Sequence, residues 1–193
     1  MAITRLGPNN STNISGINLT SQVTGTLPVA NGGTALTSGF VNGAAAGGSQ
    51  VYMTGDTSIS GSGYLTSNLS VYNSTGSGNG IASVSSGIIS LDKTGYYHII
   101  YQFTGNSTSG NQFVNPYIAT TSDSGSSTNN RAYGYAHGEN SEGDTFTCTI
   151  NLIHDLTDTS EAFVMKYQGA SNITLYGTGQ SVTSMTFIRL GDT

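Results

Sequence analysis

The sequence has no tryptophan, one cysteine and three prolines in 193 residues, and only 8% of its residues are charged. Each shortage excludes something. A single thiol, Cys148, can close no disulfide within the chain. It lies in the alternating run Thr145-Phe146-Thr147-Cys148-Thr149-Ile150, on the face of Phe146 and Ile150, and reads as a core thiol and not a nucleophile. Five Lys and Arg stand against ten Asp and Glu, a net charge of −5. The cations Arg5, Lys93, Arg131, Lys166 and Arg189 are scattered, so no row of them can neutralise phosphates, and both nucleic acid and anionic membrane surfaces are excluded as partners. No apolar run approaches the ~18–20 residues that a membrane helix needs. The first residues, Met1 to Pro8, lack the apolar stretch of a secretion signal, so the chain is expected to be made and kept in a cytoplasm, reaching any outside location by release of an assembled particle.

Gly, Ser, Thr and Asn fill the place of the missing charges, a composition suited to short strands and tight turns. The densest aromatic and β-branched run is Gly95-Tyr96-Tyr97-His98-Ile99-Ile100-Tyr101-Gln102-Phe103-Thr104. As a strand it sets Tyr97, Ile99, Tyr101 and Phe103 on one face and Tyr96, His98, Ile100 and Gln102 on the other. Large apolar groups on both faces predict that both are covered, one by a second sheet and the other by a neighbouring subunit. Asp92-Lys93-Thr94-Gly95 reads as a turn in which Gly95 takes a positive φ.

From residue 49 to 193 the pattern predicts short strands over 50–53, 64–72, 81–84, 88–91, 96–104, 112–120, 131–136, 145–153, 162–167, 173–176 and 182–190, with no helix signal. The last strand alternates well, with Ser184, Thr186, Ile188 and Leu190 on one face and Met185, Phe187 and Arg189 on the other. About ten such strands predict an all-β domain, an antiparallel two-sheet jelly-roll sandwich. Residues 1–48 differ. Their apolar residues are isolated among Asn, Ser, Thr and Gly, and 39–49 reads as a hinge. Ordering a backbone costs about 1–2 kcal/mol per residue, which this segment cannot recover from a core of its own. It is expected to be an extended arm laid along a partner.

Two resemblances attach to these residues. Leu91-Asp92-Lys93-Thr94-Gly95-Tyr96-Tyr97-His98-Ile99-Ile100-Tyr101, the segment Thr149–Tyr167, and the closing Ser184-Met185-Thr186-Phe187-Ile188-Arg189-Leu190 resemble the TNF/C1q-like jelly roll. The turn Asp155–Glu161 departs from that family's usual Gly-Asp. The resemblance implies a homotrimer, with Tyr96, His98, Ile100 and Phe187 at the contact between subunits. The arm's Val23-Thr24-Gly25-Thr26-Leu27-Pro28-Val29-Ala30-Asn31-Gly32-Gly33-Thr34 is similar to an element of tailed-phage fibre and virion-decoration proteins, with Ala35 where a glycine is usual. It implies an anchoring role for Val23, Thr24, Gly25, Thr26, Leu27, Pro28, Val29, Asn31, Gly32 and Gly33. The implied partner is a major capsid protein, for a decoration or cement protein of the virion. For a short tail fibre or fibre tip, the implied partners are a tail adaptor protein and a host surface glycan.

Catalytic patterns are missing. His154-Asp155 has no Gly-x-Ser-x-Gly elbow to activate a serine, and the acids sit mostly in turns, so the chain is not expected to be an enzyme and no cofactor is implied. His137-Gly138-Glu139-Asn140-Ser141-Glu142-Gly143-Asp144 gathers hard oxygen ligands but not at the spacing of an EF-hand, and reads as a solvated connection in preference to a Ca²⁺ site. The tyrosines, among them Tyr52, Tyr64, Tyr72, Tyr133, Tyr135, Tyr167 and Tyr176, are read chiefly as strand and interface residues and secondarily as a stacking surface for sugars.

Overall fold

A computed structural model describes residues 47–73, 80–107, 112–138, 144–178 and 182–191. The arm motif at 23–34 and the acidic loop at 139–143 lie outside the described residues. Twelve strands occur: β1 (Gly48–Met53), β2 (Thr57–Tyr64), β3 (Leu69–Asn73), β4 (Ala82–Ser85), β5 (Ile88–Leu91), β6 (Gly95–Ser107), β7 (Gln112–Thr121), β8 (Asn129–Tyr133), β9 (Ala136–Gly138), β10 (Thr145–Leu156), β11 (Ala162–Leu175) and β12 (Ser184–Gly191). The fold is an antiparallel jelly-roll sandwich, as the strand pattern predicts. One layer runs β3-β1-β12-β6-β10, and the other gathers β2, β5, β7 and β8 around β11. The two longest strands, β6 and β11, meet at one end, where Ser107 to Gly105 pair with Ile173 to Leu175 and join the layers.

The core follows from alternation. Tyr97, Ile99, Tyr101 and Phe103 are all fully buried, as are Met185 and Phe187 of β12 and Phe163 and Met165 of β11. The Phe163 and Phe187 rings meet across the layers at 5.4 Å. The turn before β6 is tied down from beneath. Arg189 donates Nε and Nη2 to the Thr94 carbonyl at 3.0 and 2.8 Å, and the Tyr97 hydroxyl donates to the Lys93 carbonyl at 2.7 Å. Gly95 sits there at φ 142°, and a Cβ on it would lie 2.3 Å from the Gly191 carbonyl oxygen. The expected positive φ is therefore present, and lack of space reinforces it.

Five strand assignments differ from expectation, each for a physical reason. The strand predicted over 64–72 is two strands, because Asn68 takes φ 57° between Tyr64 and Leu69. β2 has no apolar alternation, with only Ile59 buried, and is specified by its pairing with β11. The strand predicted over 131–136 divides at Gly134, whose N–H turns to the Pro116 carbonyl at 2.9 Å. The strands predicted over 162–167 and 173–176 are one, because Gly169 at φ 76° and Asn172 at φ 48° produce bulges in place of a turn. Gly48 and Ser49, read as the end of the hinge, already pair with Ile188 and Phe187 in β1.

Candidate functional site

Alternation that buries one face of β6 turns the other outward, and the antiparallel register builds a surface from it. His98 stands between Ile188 of β12 and Ile153 of β10, Ile100 between Thr186 and Asn151, and Gln102 between Ser184 and Thr149. Tyr96 begins β6 beside Asp155, at the bulge between Arg189 and Gly191. The large apolar residues Tyr96, Ile153, Ile188 and Leu190 are each between 40% and 60% exposed. They cluster around one end of the sheet, where Gly48 begins β1 opposite Ile188. Polar groups within the face satisfy one another. His98 Nε2 and Asn151 Oδ1 lie 3.1 Å apart, and Gln50 Nε2 donates to Ser184 Oγ at 3.2 Å and Thr186 Oγ1 at 3.4 Å. Around Ile188 the face is mostly aliphatic, and part of its polar groups, His98 with Asn151 and Gln50 with Ser184 and Thr186, are paired with one another.

Three of the four residues expected at a subunit contact, Tyr96, His98 and Ile100, lie on this face. Phe187 does not. Its Cα pairs with Ile99, and its ring is buried against Phe163 inside the sandwich. Parity decides this, because residue 187 shares the inward phase of Met185. The outward residues of the same strand are Thr186 and Ile188. Ile153, which the sequence reading placed in a strand without assigning it a role, joins them because β10 pairs with β6 along its whole length.

The residues considered for chemistry are dispersed. His154 faces inward, its ring edge-on to Phe163 at 5.3 Å and its Nε2 3.1 Å from Glu161 Oε2, whereas Asp155 occupies the next, outward position. Adjacent positions on a strand point to opposite faces, so the two cannot act as a pair. Burial alone would raise the Glu161 pKa, but hydrogen bonds from Thr120, His154 and Arg131 outweigh it and hold the carboxyl below its ordinary range. Cys148 lies on the Phe146/Ile150 face as expected, and burial pushes its thiol up, away from the thiolate that a nucleophile needs. No group of three or more His, Cys, Asp or Glu close enough to hold a metal occurs among the described residues. A hydroxyl-lined cleft of about 420 Å³ adjoins Tyr64, with Ser83, Ser85, Ser90 and Ser124 in its wall and no charged group.

No family model and no curated protein sequence matches the chain. Solved structures do match it. Murine APRIL is similar over 76% of this chain and 100% of its own, with a TM-score of 0.53 and 11% identity. The Eiger TNF of S. frugiperda is similar over 77% of this chain and 96% of its own, with a TM-score of 0.56 and 9% identity. The fold is a TNF-like jelly roll. At these identities the likeness is one of architecture.

Proposed function

We propose that this chain is a homotrimeric structural protein of a phage virion, a decoration or cement protein whose jelly roll self-associates and whose N-terminal arm anchors it to a major capsid protein. The observation that carries the self-association is the outward face of β12, β6 and β10. Its large apolar side chains Tyr96, Ile153, Ile188 and Leu190 are exposed and gathered at one end of the sheet, the kind of patch that marks an association surface. A closed ring of three copies buries this face in every subunit, whereas an exposed flat face would invite open-ended association. What supports the virion role is the Val23–Thr34 string and its likeness to phage virion arms. Three arms on one trimer raise the effective concentration of each anchor.

Sedimentation of the full chain, of a form lacking residues 1–46, and of the full chain carrying Ile188→Asp tests the reading. The truncated form is expected to remain a trimer and to stop joining particles. The Ile188→Asp chain is expected to sediment as a folded monomer. A truncated form that incorporates as well as the full chain, or an Ile188→Asp chain that stays trimeric, overturns the corresponding half. A chain found in a handful of copies at the tail, and not in hundreds over the shell, would replace the decoration role with that of a tail fibre tip bound to an adaptor.

A further inference from the structure

The opposite surface of the sandwich, the outward face of β7, β8, β9 and β11, is built differently. Phe113 and Tyr117 lie four residues apart on β7, and thus on one face and about 13 Å apart at ~3.3 Å per residue. Phe113 stacks on Tyr135 at 6.2 Å and 18°, and Tyr135 on His137 at 6.4 Å and 21°, so three rings stand nearly parallel in a ladder. Tyr117 packs on Tyr133, its cross-strand partner, at 5.6 Å and 32°. Phe113, Tyr133 and Tyr135 are between 53% and 68% exposed. Between the two platforms Asn115 pairs with Gln168. Gln168 Oε1 accepts from the Tyr117 hydroxyl at 3.0 Å, which orients the amide and leaves its N–H₂ without a partner among the described residues.

Lys166 brings a cation to this face. Lys166 Nζ is held by Thr128 Oγ1 and Asn130 Oδ1, each at 2.9 Å, and lies 5.8 Å from the Tyr117 ring centroid. No carboxylate pairs with it among the described residues, although the chain as a whole carries a net charge of −5. A fixed ammonium with no internal counter-charge, set beside stacked rings, is complementary to a ligand anion.

We infer that this face binds an extended oligosaccharide bearing carboxylate groups. The C–H faces of its sugar rings would lie on the Phe113/Tyr135 and Tyr117/Tyr133 platforms, its hydroxyls would meet Asn115 and Gln168, and a carboxylate would meet Lys166. Pre-stacked rings lose little freedom on binding, so they make rigid platforms. The face is open and flat, which suits a polymer segment better than a single sugar. It lies across the sandwich from the Ile188 face, so the inference does not depend on trimerisation through that face.

The test is titration calorimetry of the full chain with hexasaccharides of hyaluronan and of alginate, alongside their carboxyl-reduced forms and a single-stranded oligonucleotide. At least one acidic hexasaccharide is expected to bind, more weakly as salt rises, and at least tenfold more tightly than its reduced form. Tyr133→Ala/Tyr135→Ala should lose at least tenfold for both forms, with its circular dichroism unchanged. Lys166→Gln should retain binding to the reduced form and lose the preference for the acid. Failure of every hexasaccharide to bind, equal affinity for acidic and reduced forms, tighter binding of the oligonucleotide, or a change of oligomeric state in Tyr133→Ala/Tyr135→Ala would each overturn the inference, the last by assigning the face to a second copy of the chain.

Discussion

The two outward faces of the sandwich are made of the same backbone and expose different mixtures of side chains. Around His98 the exposed groups are mostly aliphatic, Ile153, Ile188 and Leu190, with Tyr96 at the border. Around Tyr117 they are aromatic rings stacked on one another, interleaved with amides and one ammonium. Branched aliphatic side chains fill space against other side chains and offer nothing to a hydroxyl-rich ligand. Stacked rings with outward amides and a cation offer both a flat apolar surface and directed polar contacts. The difference teaches that exposure alone does not name a partner. The kind of carbon exposed distinguishes the two faces, and the roles proposed for them differ accordingly.

Four substitutions test this arrangement. The largest effect is expected from Phe187→Ala, which removes a fully buried ring and should cost about 3–5 kcal/mol in chemical denaturation. Were Phe187 instead on the association face, subunit dissociation would change and the unfolding of the monomer would not. Gly95→Ala comes next. It forces a side chain into φ 142° and against the Gly191 carbonyl, and should cost more than about 1 kcal/mol, read as a lowered melting temperature. It would loosen the turn from which Tyr96 starts the aliphatic face. Ile153→Ser removes an exposed group from that face alone. It should raise the trimer dissociation constant severalfold in sedimentation equilibrium while leaving the unfolding midpoint of the monomer, and any sugar affinity, unchanged. The smallest effect belongs to Glu161. Its pKa is lowered on folding, so the stability it contributes is present above the ordinary carboxylate range and is lost as pH falls through the folded value. Glu161→Gln should flatten that acid loss by about 1 kcal/mol or less, since its Arg131 partner is 40% exposed and the pair is screened by solvent.

Much of this was legible in the residues. The alternation of β6 and β12 predicts both the buried row Tyr97, Ile99, Tyr101, Phe103 and the outward row Tyr96, His98, Ile100, because period-two burial is a local property. The same alternation places Phe187 inward with Met185, and the expectation of an outward Phe187 went against that phase. β2 was not legible, because its Thr-Ser-Ile-Ser-Gly-Ser-Gly-Tyr sequence has no apolar face and the strand exists through its partner β11. Nor was the aromatic ladder. Phe113, Tyr135 and His137 are far apart or unpatterned in sequence, and only the β7–β9 pairing brings them together. A tyrosine excess signals that a stacking surface is available, and the register decides where it lies. Of the tyrosines singled out, Tyr133 and Tyr135 are on the aromatic face, whereas Tyr167 packs against the core.

Strand β1 begins at Gly48 opposite Ile188, and the Gly47 carbonyl accepts the Arg189 N–H at 3.1 Å. The polypeptide therefore enters the sandwich at the margin of its most oily patch. If three copies close around that patch, their leading segments start side by side near the symmetry axis and not from three distant corners.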